Sequence, residues 1–349
     1  MFGRNRSKGN YAYTSARVKA KKSLLMKEED YDKMLMMTVP EISRYISETG
    51  YSKEMTDLAG RLSGLDLLEH ATHLNMAKVF RSILSTSTGE LYSMVSAYLD
   101  KWDVWNLKVI LRGKSYGLDA DGIREDLVPA GRVGAESLEK LISIDNVDDI
   151  VANFGKMAHV VVPPEVMSAY KAGGNLGEIE DFLDKVHYER LIKSIDPLSR
   201  PSYIFLTYIR EQVDIKNFET ILKLKAEGIH GEQVMKYTIP RGRRIDERLL
   251  ALLANAETID SMMSELSQLE FGEEVRAPLE ANDVRGAVHS LKMYERQKAK
   301  KFSHLYPLSV TPVIDYMINK ENEVRNIRII ARGTESGLSR ETIKGLLVI

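Results

Sequence analysis

The sequence predicts an all-α protein made of three homologous helical units of about 110 residues each. One helical motif is written three times, as DVWNLKVILRG from residue 103, DIKNFETILKL from 214 and EVRNIRIIARG from 323. Its apolar residues recur at i, i+3, i+6 and i+7, the spacing of one face of an α-helix. Strand signals are almost absent, because the β-branched run 160–162 leads into two prolines and is interpreted as a connection.

Each motif carries an asparagine at its fourth position, Asn106, Asn217 or Asn326. Asparagine in the middle of a helix is costly unless its side-chain amide is hydrogen-bonded. We therefore expect these residues to make structural hydrogen bonds between helices, and we favour that interpretation over a ligand site.

A glycine followed by an apolar residue comes after each motif, at Gly117, Gly228 and Gly337. Glycine at such a place suits a left-handed helix cap, since it has no Cβ to clash. An acidic residue then falls in the first turn of a second short helix, where it meets the positive end of the helix dipole. The acids are Asp121, Glu232 and Glu341.

A second landmark gives the same period. Helix caps at Thr38, Asn146 and Thr258 precede the motif asparagines by 68, 71 and 68 residues. Between these landmarks lies a long helical stretch, which ends at Pro-Leu-Ser in the second and third units, residues 197–199 and 307–309. The predicted repeat units are 1–127, which includes a basic N-terminal tail, 128–239 and 240–349. Such units stack side by side, as an open superhelix or as a closed ring.

Composition excludes several classes of function. The formal net charge of −1 argues against a general nucleic-acid binder, and the absence of cysteine excludes thiolate chemistry and disulfides. A Walker-type phosphate loop is missing, and His70 with His73 lacks a third ligand at helical spacing. We therefore expect no catalytic residue, no metal and no cofactor. Apolar runs are too short for a membrane helix, so any membrane role would be peripheral.

Several segments resemble the C subunit of archaeal A-type ATP synthases, the equivalent of the d subunit of V-type ATPases. They are YAYTSAR from residue 11, TVPEI from 38, the stretch 102–113 and, most specifically, ENEVRNIRIIARG from 321. The likeness covers essentially the whole chain. The family's three-part helical organisation agrees with the repeat found above.

The resemblance implies a non-catalytic component of the central stalk, part of the rotor, which itself binds no nucleotide. In that family the three helical domains form a pseudo-threefold funnel on the cytoplasmic face of the cell membrane, as a peripheral protein. The implied partners are the D and F subunits of the central shaft, the membrane rotor ring and a contact with the stator membrane subunit. The funnel would couple ion translocation to ATP synthesis; whether the ion is a proton or sodium, and whether the complex synthesises or hydrolyses ATP, stays open.

We place the partner-binding site at residues that recur at the same position in all three units. Basic residues stand near the end of each motif helix, where they would complement the helix dipole. We hypothesise that these residues and the glycine turns share one rim that binds the shaft or the ring. The set is Arg112, Gly117, Lys223, Gly228, Arg332 and Gly337. The first unit lacks the Pro-Leu-Ser sequence of the other two, and it lacks the Tyr-Glu-Arg sequence that they carry at 188–190 and 294–296. An equal role for all three units is therefore not implied.

Two alternatives remain at this point. A non-rotary helical-repeat adaptor or scaffold protein would show the same sequence repeat, and co-purification with a large membrane complex would distinguish the two. An all-α enzyme with an unrecognised pocket is disfavoured by the scarcity of histidine and the lack of cysteine.

Overall fold

The described chain consists of helices joined by short connections. The computed structural model describes residues 8–349, without the side chains of 259 and 260. Within that range there are twenty α-helices, one 3₁₀ helix and no β-strand, so the all-α prediction is confirmed. Of the predicted basic tail, residues 1–7 lie outside the described part.

The first predicted repeat unit contains eight helices. The Thr38 cap is confirmed as a capping box, since a Glu41 carboxylate oxygen accepts from the Thr38 N–H at 2.8 Å. The helices are α1 (Tyr11–Lys22), α2 (Glu28–Met34), α3 (Val39–Ser47), α4 (Ser52–Leu58), α5 (Gly64–Thr86), α6 (Gly89–Leu99), α7 (Lys101–Ser115) and α8 (Ala120–Glu125).

The second and third predicted units contain six α-helices each, and their motif helices are longer. Where the first unit divides its helix at Asp100, the other two run on without a break, as α13 and α19. The second unit has α9 (Ala135–Ile142), α10 (Val147–Ala158), α11 (Pro164–Gly173), α12 (Gly177–Ser194), α13 (Arg200–Ala226) and α14 (Glu232–Lys236). The third has α15 (Glu247–Asn255), α16 (Ile259–Met262), a 3₁₀ helix (Met263–Gln268), α17 (Gly272–Glu280), α18 (Val284–Leu305), α19 (Thr311–Glu335) and α20 (Arg340–Gly345).

The landmark helix of the third unit is shorter than its sequence suggests. A single α-turn, α16, passes into the 3₁₀ helix. Serine hydroxyls bind nearby carbonyls here, from Ser261 to Thr258 and from Ser267 to Ser264. Such local bonds compete with the α-helical ladder, which accounts for the change.

The glycine turns have the backbone conformation that their sequence predicts. Gly117, Gly228 and Gly337 lie at φ of 71°, 77° and 70°. In each turn the N–H of the residue after the glycine donates at 2.9 Å to the carbonyl four residues before the glycine. The pairs are Leu118 to Gly113, Ile229 to Leu224 and Leu338 to Gly333. This is the longer bond of a Schellman motif, and it ends each motif helix in the same way.

Packing beneath the turns explains why the second motif ends in Leu224 where the others have glycine. A Cβ at Gly113 would lie 2.5 Å from Ile123 Cγ1, and one at Gly333 would lie 2.7 Å from Ile343 Cγ1. In the second unit the corresponding place on the short helix is taken by the smaller Val234. The two positions therefore vary together in size.

The chain forms two compact parts. The first comprises the described residues up to 182 together with 316–347 and 349, and the second comprises 183–315 and 348. In the first part the motif residues Leu107, Ile110 and Leu111 are fully buried. In the second part Phe218 of the motif contacts Phe271, which contacts Tyr294 in turn. The apolar face of the motif thus lies in the core, while the division into three repeat units remains a prediction.

We predict that Gly228→Ala lowers the free energy of unfolding by about 1 kcal/mol through backbone strain alone. A Cβ there would meet no atom within 4 Å, so its only cost is the positive φ. Gly50→Ala is the control, because its Cβ also meets nothing and its φ is ordinary. Urea unfolding of both variants measures the difference. Equal stabilities would contradict the prediction.

Candidate functional site: the repeated motif

The motif asparagine binds a backbone residue 22 positions further along the chain. Asn106 donates from Nδ2 to the carbonyl oxygen of Val128 at 2.8 Å and accepts from the N–H of Val128 at 2.7 Å. Asn217 makes the same pair of bonds with Ile239, at 2.8 and 2.7 Å. Asn326 is equally buried.

These bonds satisfy backbone that the fold would otherwise bury unpaired. Val128 and Ile239 are almost fully buried, and each is followed by a proline, which has no N–H to donate. Both residues lie between helices. The partner is thus a connecting segment, which corrects the expectation of a bond between two helices.

The acid that opens the motif holds the same connection a few residues further on. Asp103 accepts hydrogen bonds from the N–H groups of Arg132 at 2.9 Å and Val133 at 3.0 Å. Asp214 accepts from three consecutive N–H groups at 2.7–3.1 Å, those of Arg243, Arg244 and Ile245. Asn and Asp together therefore fix the segment that leads into the next predicted unit, at the start of α9 or α15.

Close approach of this segment requires glycine. A Cβ at Gly131 would lie 2.0 Å from Oδ1 of Asp103, and one at Gly242 would lie 2.1 Å from Oδ1 of Asp214. Both separations are impossible for real atoms, so the carboxylate occupies the space that a side chain would take. This explains the glycine in the sequence Pro-x-Gly-Arg, which occurs at 129–132 and 240–243.

The third motif instead holds residues of the first predicted unit that follow α1. Glu323 accepts from the backbone N–H of Met26 at 2.6 Å, from the Tyr51 hydroxyl at 2.5 Å and from Lys320 Nζ at 2.8 Å. The ammonium of Lys320 lies 3.9 Å from the centre of the Tyr51 ring. Burial lowers the pKa of Lys320 and raises that of Tyr51. Met26 precedes α2 as Val133 precedes α9 and Ile245 precedes α15.

The three contacts are similar. In each, the acid of the motif binds a backbone N–H that leads into a helix. For the first two motifs this is the first helix of the next predicted unit, α9 or α15, and for the third motif it is α2, the second helix of the first predicted unit. We call this arrangement of Asn and acid on one helix the motif clamp.

Two of the three basic site residues reach the start of a neighbouring long helix. Arg112 forms a two-pronged ion pair with Glu180 of α12, with Nε 2.6 Å from one carboxylate oxygen. Arg332 does the same with Glu69 of α5, its second nitrogen at 2.8 Å, and Arg328 binds Glu69 as well. Bidentate arginine–carboxylate pairs fix orientation as well as distance.

Lys223 behaves differently. Its ammonium lies 2.6 Å from Glu219 one turn back on α13, and Lys292 of α18 lies 3.3 Å from the same carboxyl group. Burial alone would raise the pKa of Glu219, but Lys292, Lys216 and Lys223 outweigh it and lower that pKa to about 2. The lysine therefore serves an ion-pair cluster within its own compact part.

The proposed rim residues are divided between the two compact parts. Arg112 and Gly117, with Arg332 and Gly337, belong to the first part, and Lys223 with Gly228 belongs to the second. All three basic side chains are about half exposed. At the turn tips, Tyr116, Leu118 and Leu338 are exposed.

A polar cavity adjoins the third turn. Its volume is about 280 Å³, and it is lined by Leu65, Asp66, Glu69, Arg332, Glu335 and Ser336. Three carboxyl groups and one guanidinium leave the lining acidic. The acidic lining suits a cationic side chain better than an anion.

The sequence did not reveal the carboxylate partners. Glu69 and Glu180 lie 263 and 68 residues from the arginines they bind. A signal was nevertheless present, since each acid sits early in a long helix that begins with glycine, Gly64 or Gly177.

The histidine pair lies on α5. His70 and His73 are largely buried, and burial lowers the pKa of both, which keeps the rings neutral. Among the described residues, no group of three or more His, Asp or Glu side chains is arranged to hold a metal ion. The polar side chains of the motif bind the chain's own backbone and helices.

The fold and the motif clamp together define a helical structural protein. The family model of the ATP synthase (C/AC39) subunit matches residues 14–346. The chain belongs to this family, as the resemblance predicted, and it is therefore one subunit of an ATP synthase and not an enzyme in its own right.

Curated relatives extend along nearly the whole chain. The C subunit of the A-type ATP synthase of Methanococcoides burtonii is 34% identical over 355 residues, covering 98% of this chain and 95% of the relative. That of Archaeoglobus fulgidus is 35% identical over 346 residues, covering 98% of both. That of Haloquadratum walsbyi is 32% identical over 348 residues, covering 97% and 98%.

We predict that Asn106→Ala lowers the free energy of unfolding by about 3 kcal/mol, because it leaves a buried N–H and a buried carbonyl of Val128 unpaired. Asn153→Ala is the control, since that exposed amide binds only a carbonyl of its own helix. Its effect should stay below about 0.5 kcal/mol. Urea unfolding measures both. If Asn106→Ala lowers the free energy of unfolding no more than the control does, the amide has no structural role.

A second prediction concerns pH. Burial raises the pKa of Asp103 to about 6, although its bonds from Val133 and Arg132 act in the opposite direction. A folded pKa above the unfolded value means that this carboxyl favours folding at low pH, and the contribution is lost as the pH rises through about 6. Between pH 7 and pH 5 the wild type should therefore gain about 1 kcal/mol relative to Asp103→Asn.

The control for the pH experiment is Asp121→Asn, since that side chain is almost fully exposed. Unfolding free energies at both pH values give the comparison. Parallel pH profiles for the wild type and Asp103→Asn would refute the raised pKa.

Proposed function

We propose that the chain is a non-catalytic central-stalk subunit of an A-type ATP synthase, which turns with the rotor and couples a shaft formed by the D and F subunits to the membrane rotor ring. Membership of the ATP synthase (C/AC39) subunit family supports this role, and the curated relatives compared above are named as C subunits of the A-type enzyme. The predicted pseudo-threefold funnel is part of the same proposal.

The observation that carries the proposal is the set of polar contacts between the third predicted unit and the first. Glu323 holds Met26 and Tyr51, while Arg332 holds Glu69. A part that transmits torque must resist separation of its units under load. Buried and satisfied polar contacts specify a single arrangement and rigidify it.

The glycine turns are the proposed contact surface. Arg112, Lys223 and Arg332 are already paired within the chain, so direct contact with a partner falls to the turn tips at Gly117, Gly228 and Gly337. The acidic cavity beside Gly337 would receive a lysine or arginine of the partner.

The proposed location is the cytoplasmic face of the cell membrane, with an additional contact to the stator membrane subunit. ATP synthases are membrane-associated complexes. In the part of the chain that the structure describes, none of the helices has the length and apolar character needed to cross a membrane. Peripheral attachment through the rotor ring fits both statements.

We predict that Tyr116→Asp combined with Leu338→Asp weakens assembly with the purified D and F subunits, or with the rotor ring, by tenfold or more. Loss of a tyrosine hot spot costs about 2 kcal/mol or more, and about 1.4 kcal/mol is already tenfold in affinity. Leu24→Asp is the control, since Leu24 is exposed far from the turns in sequence. Titration monitored by native mass spectrometry and gel filtration gives the affinities.

Two outcomes decide between interpretations. If the variant with both substitutions assembles as tightly as the wild type, the turns are not part of the interface, and the rotor role still stands. A wild-type chain that binds neither the shaft nor the ring would contradict the proposal and return the chain to the class of non-rotary adaptors.

A further inference from the structure

The Pro-Leu-Ser sequence that ends two of the long helices contains one residue without a role in folding. Ser199 caps α13 by accepting from the N–H of Ser202 at 3.1 Å. Ser309 is buried and binds the N–H of Thr311 at 3.2 Å and the carbonyl of Tyr306 at 2.8 Å. Each proline ends a helix, which it cannot continue. The leucine between the proline and the serine is exposed in both copies: Leu198 is 91% exposed and Leu308 is 64% exposed.

Both leucines lie at the same end of one helix pair. Helices α13 and α18 run antiparallel within the second compact part, since Tyr208 contacts Phe302, Glu211 binds Tyr294 and Gln212 binds Glu295. The start of α13 therefore lies beside the end of α18. The turns at 197–199 and 307–309 continue from those two ends.

Exposed apolar residues of this part are concentrated there. The large hydrophobic side chains that are exposed among its described residues are Leu198, Tyr203, Leu252, Leu305 and Leu308. All except Leu252 sit on or next to the two turns. Singly scattered exposed leucines are ordinary, but a cluster at a helix end marks a contact surface.

Basic residues surround the cluster. Arg200 begins α13, and Lys300 and Lys301 lie in the last two turns of α18. Within the described range, these three side chains form no ion pair with an acidic group. The other charged groups here are the Lys193–Glu189 pair, exposed Asp196 and His304. With four basic against two acidic side chains, and histidine counted as neutral, the end carries a surplus of positive charge.

We propose that this end of the second compact part binds an anionic phospholipid surface. The four exposed apolar side chains, Leu198, Tyr203, Leu305 and Leu308, would enter the headgroup region, and Arg200, Lys300 and Lys301 would bind lipid phosphates. Apolar tips flanked by cations are the composition that holds proteins at membrane interfaces, and neither feature alone gives more than marginal binding. The unpaired cations favour a lipid surface over a neutral protein groove.

The test is sedimentation of the full chain with vesicles. Equal mixtures of phosphatidylcholine and phosphatidylglycerol should bind the chain, and phosphatidylcholine alone should not. Lys300→Glu with Lys301→Glu should weaken binding by at least about 25-fold, at roughly fivefold per charge removed. Leu198→Ser with Leu308→Ser should weaken it by about tenfold. Raising the salt concentration should release the wild type, because the Debye length shortens.

Matched controls separate this surface from general charge and apolarity. Lys33→Glu with Lys53→Glu makes the same change in net charge on exposed positions of α2 and α4. Leu252→Ser removes an exposed leucine of the same compact part outside the cluster. Both controls should bind like the wild type. Helix content and thermal unfolding confirm the fold of every variant.

Absence of binding to the anionic vesicles would overturn the proposal. Double variants that both bind the vesicles as strongly as the wild type would also overturn it. Binding lost equally in the controls would also overturn it. The proposal does not depend on the central-stalk role. A chain that binds the vesicles through this surface but joins neither shaft nor ring would contradict that role and leave this inference standing.

Discussion

A buried acid at the head of the repeated helix is the interaction on which the other features of the motif depend. In two copies the carboxyl group accepts two or three backbone N–H groups from the segment that starts the next predicted unit. Burying a charge is costly unless it is hydrogen-bonded, and burying bare backbone is costly for the same reason. The backbone N–H groups satisfy the buried carboxyl group, and the carboxyl group satisfies the buried N–H groups. The neighbouring asparagine and the glycine that makes room for the carboxyl group are consequences of that contact.

The third copy shows that the contact is a rule of the fold and not a local turn. Glu323 has one more methylene than Asp103 or Asp214, and it reaches Met26 and Tyr51, 297 and 272 residues away in sequence. Lys320 accompanies it as a buried cation stacked on Tyr51. Removing one member of such a buried group would leave the others unpaired, which is more costly than the bond itself is favourable. The network therefore joins the third predicted unit to the first in one specific arrangement. A stiff connection between units is the property that the proposed rotor role would require.

Sequence reasoning succeeded where structure is local. The motif helices, the left-handed glycines and the Thr38 capping box were all predictable, because each depends on residues within about one or two helical turns. It failed in three kinds of place. The 3₁₀ segment after α16 was missed, because serine side chains compete with the ladder there. The partner of Asn106 was missed, because a hydrogen bond to the backbone of Val128 does not depend on the residue type at that position. The partners of Arg112 and Arg332 lie on distant helices, and many acids could have fitted them. The division into two compact parts depends on tertiary packing, which the periodicity of the sequence does not encode.

The central claim, that the third motif holds the segment before α2 in the first predicted unit, is tested most directly by amide hydrogen exchange at Met26. This N–H lies outside any helix, so its protection depends on Glu323. The account predicts that it exchanges as slowly as the N–H of Val133, which Asp103 holds in the same way, and that Glu323→Gln selectively accelerates it. Exchange of Met26 at the rate of an unprotected amide in the wild type would contradict the account.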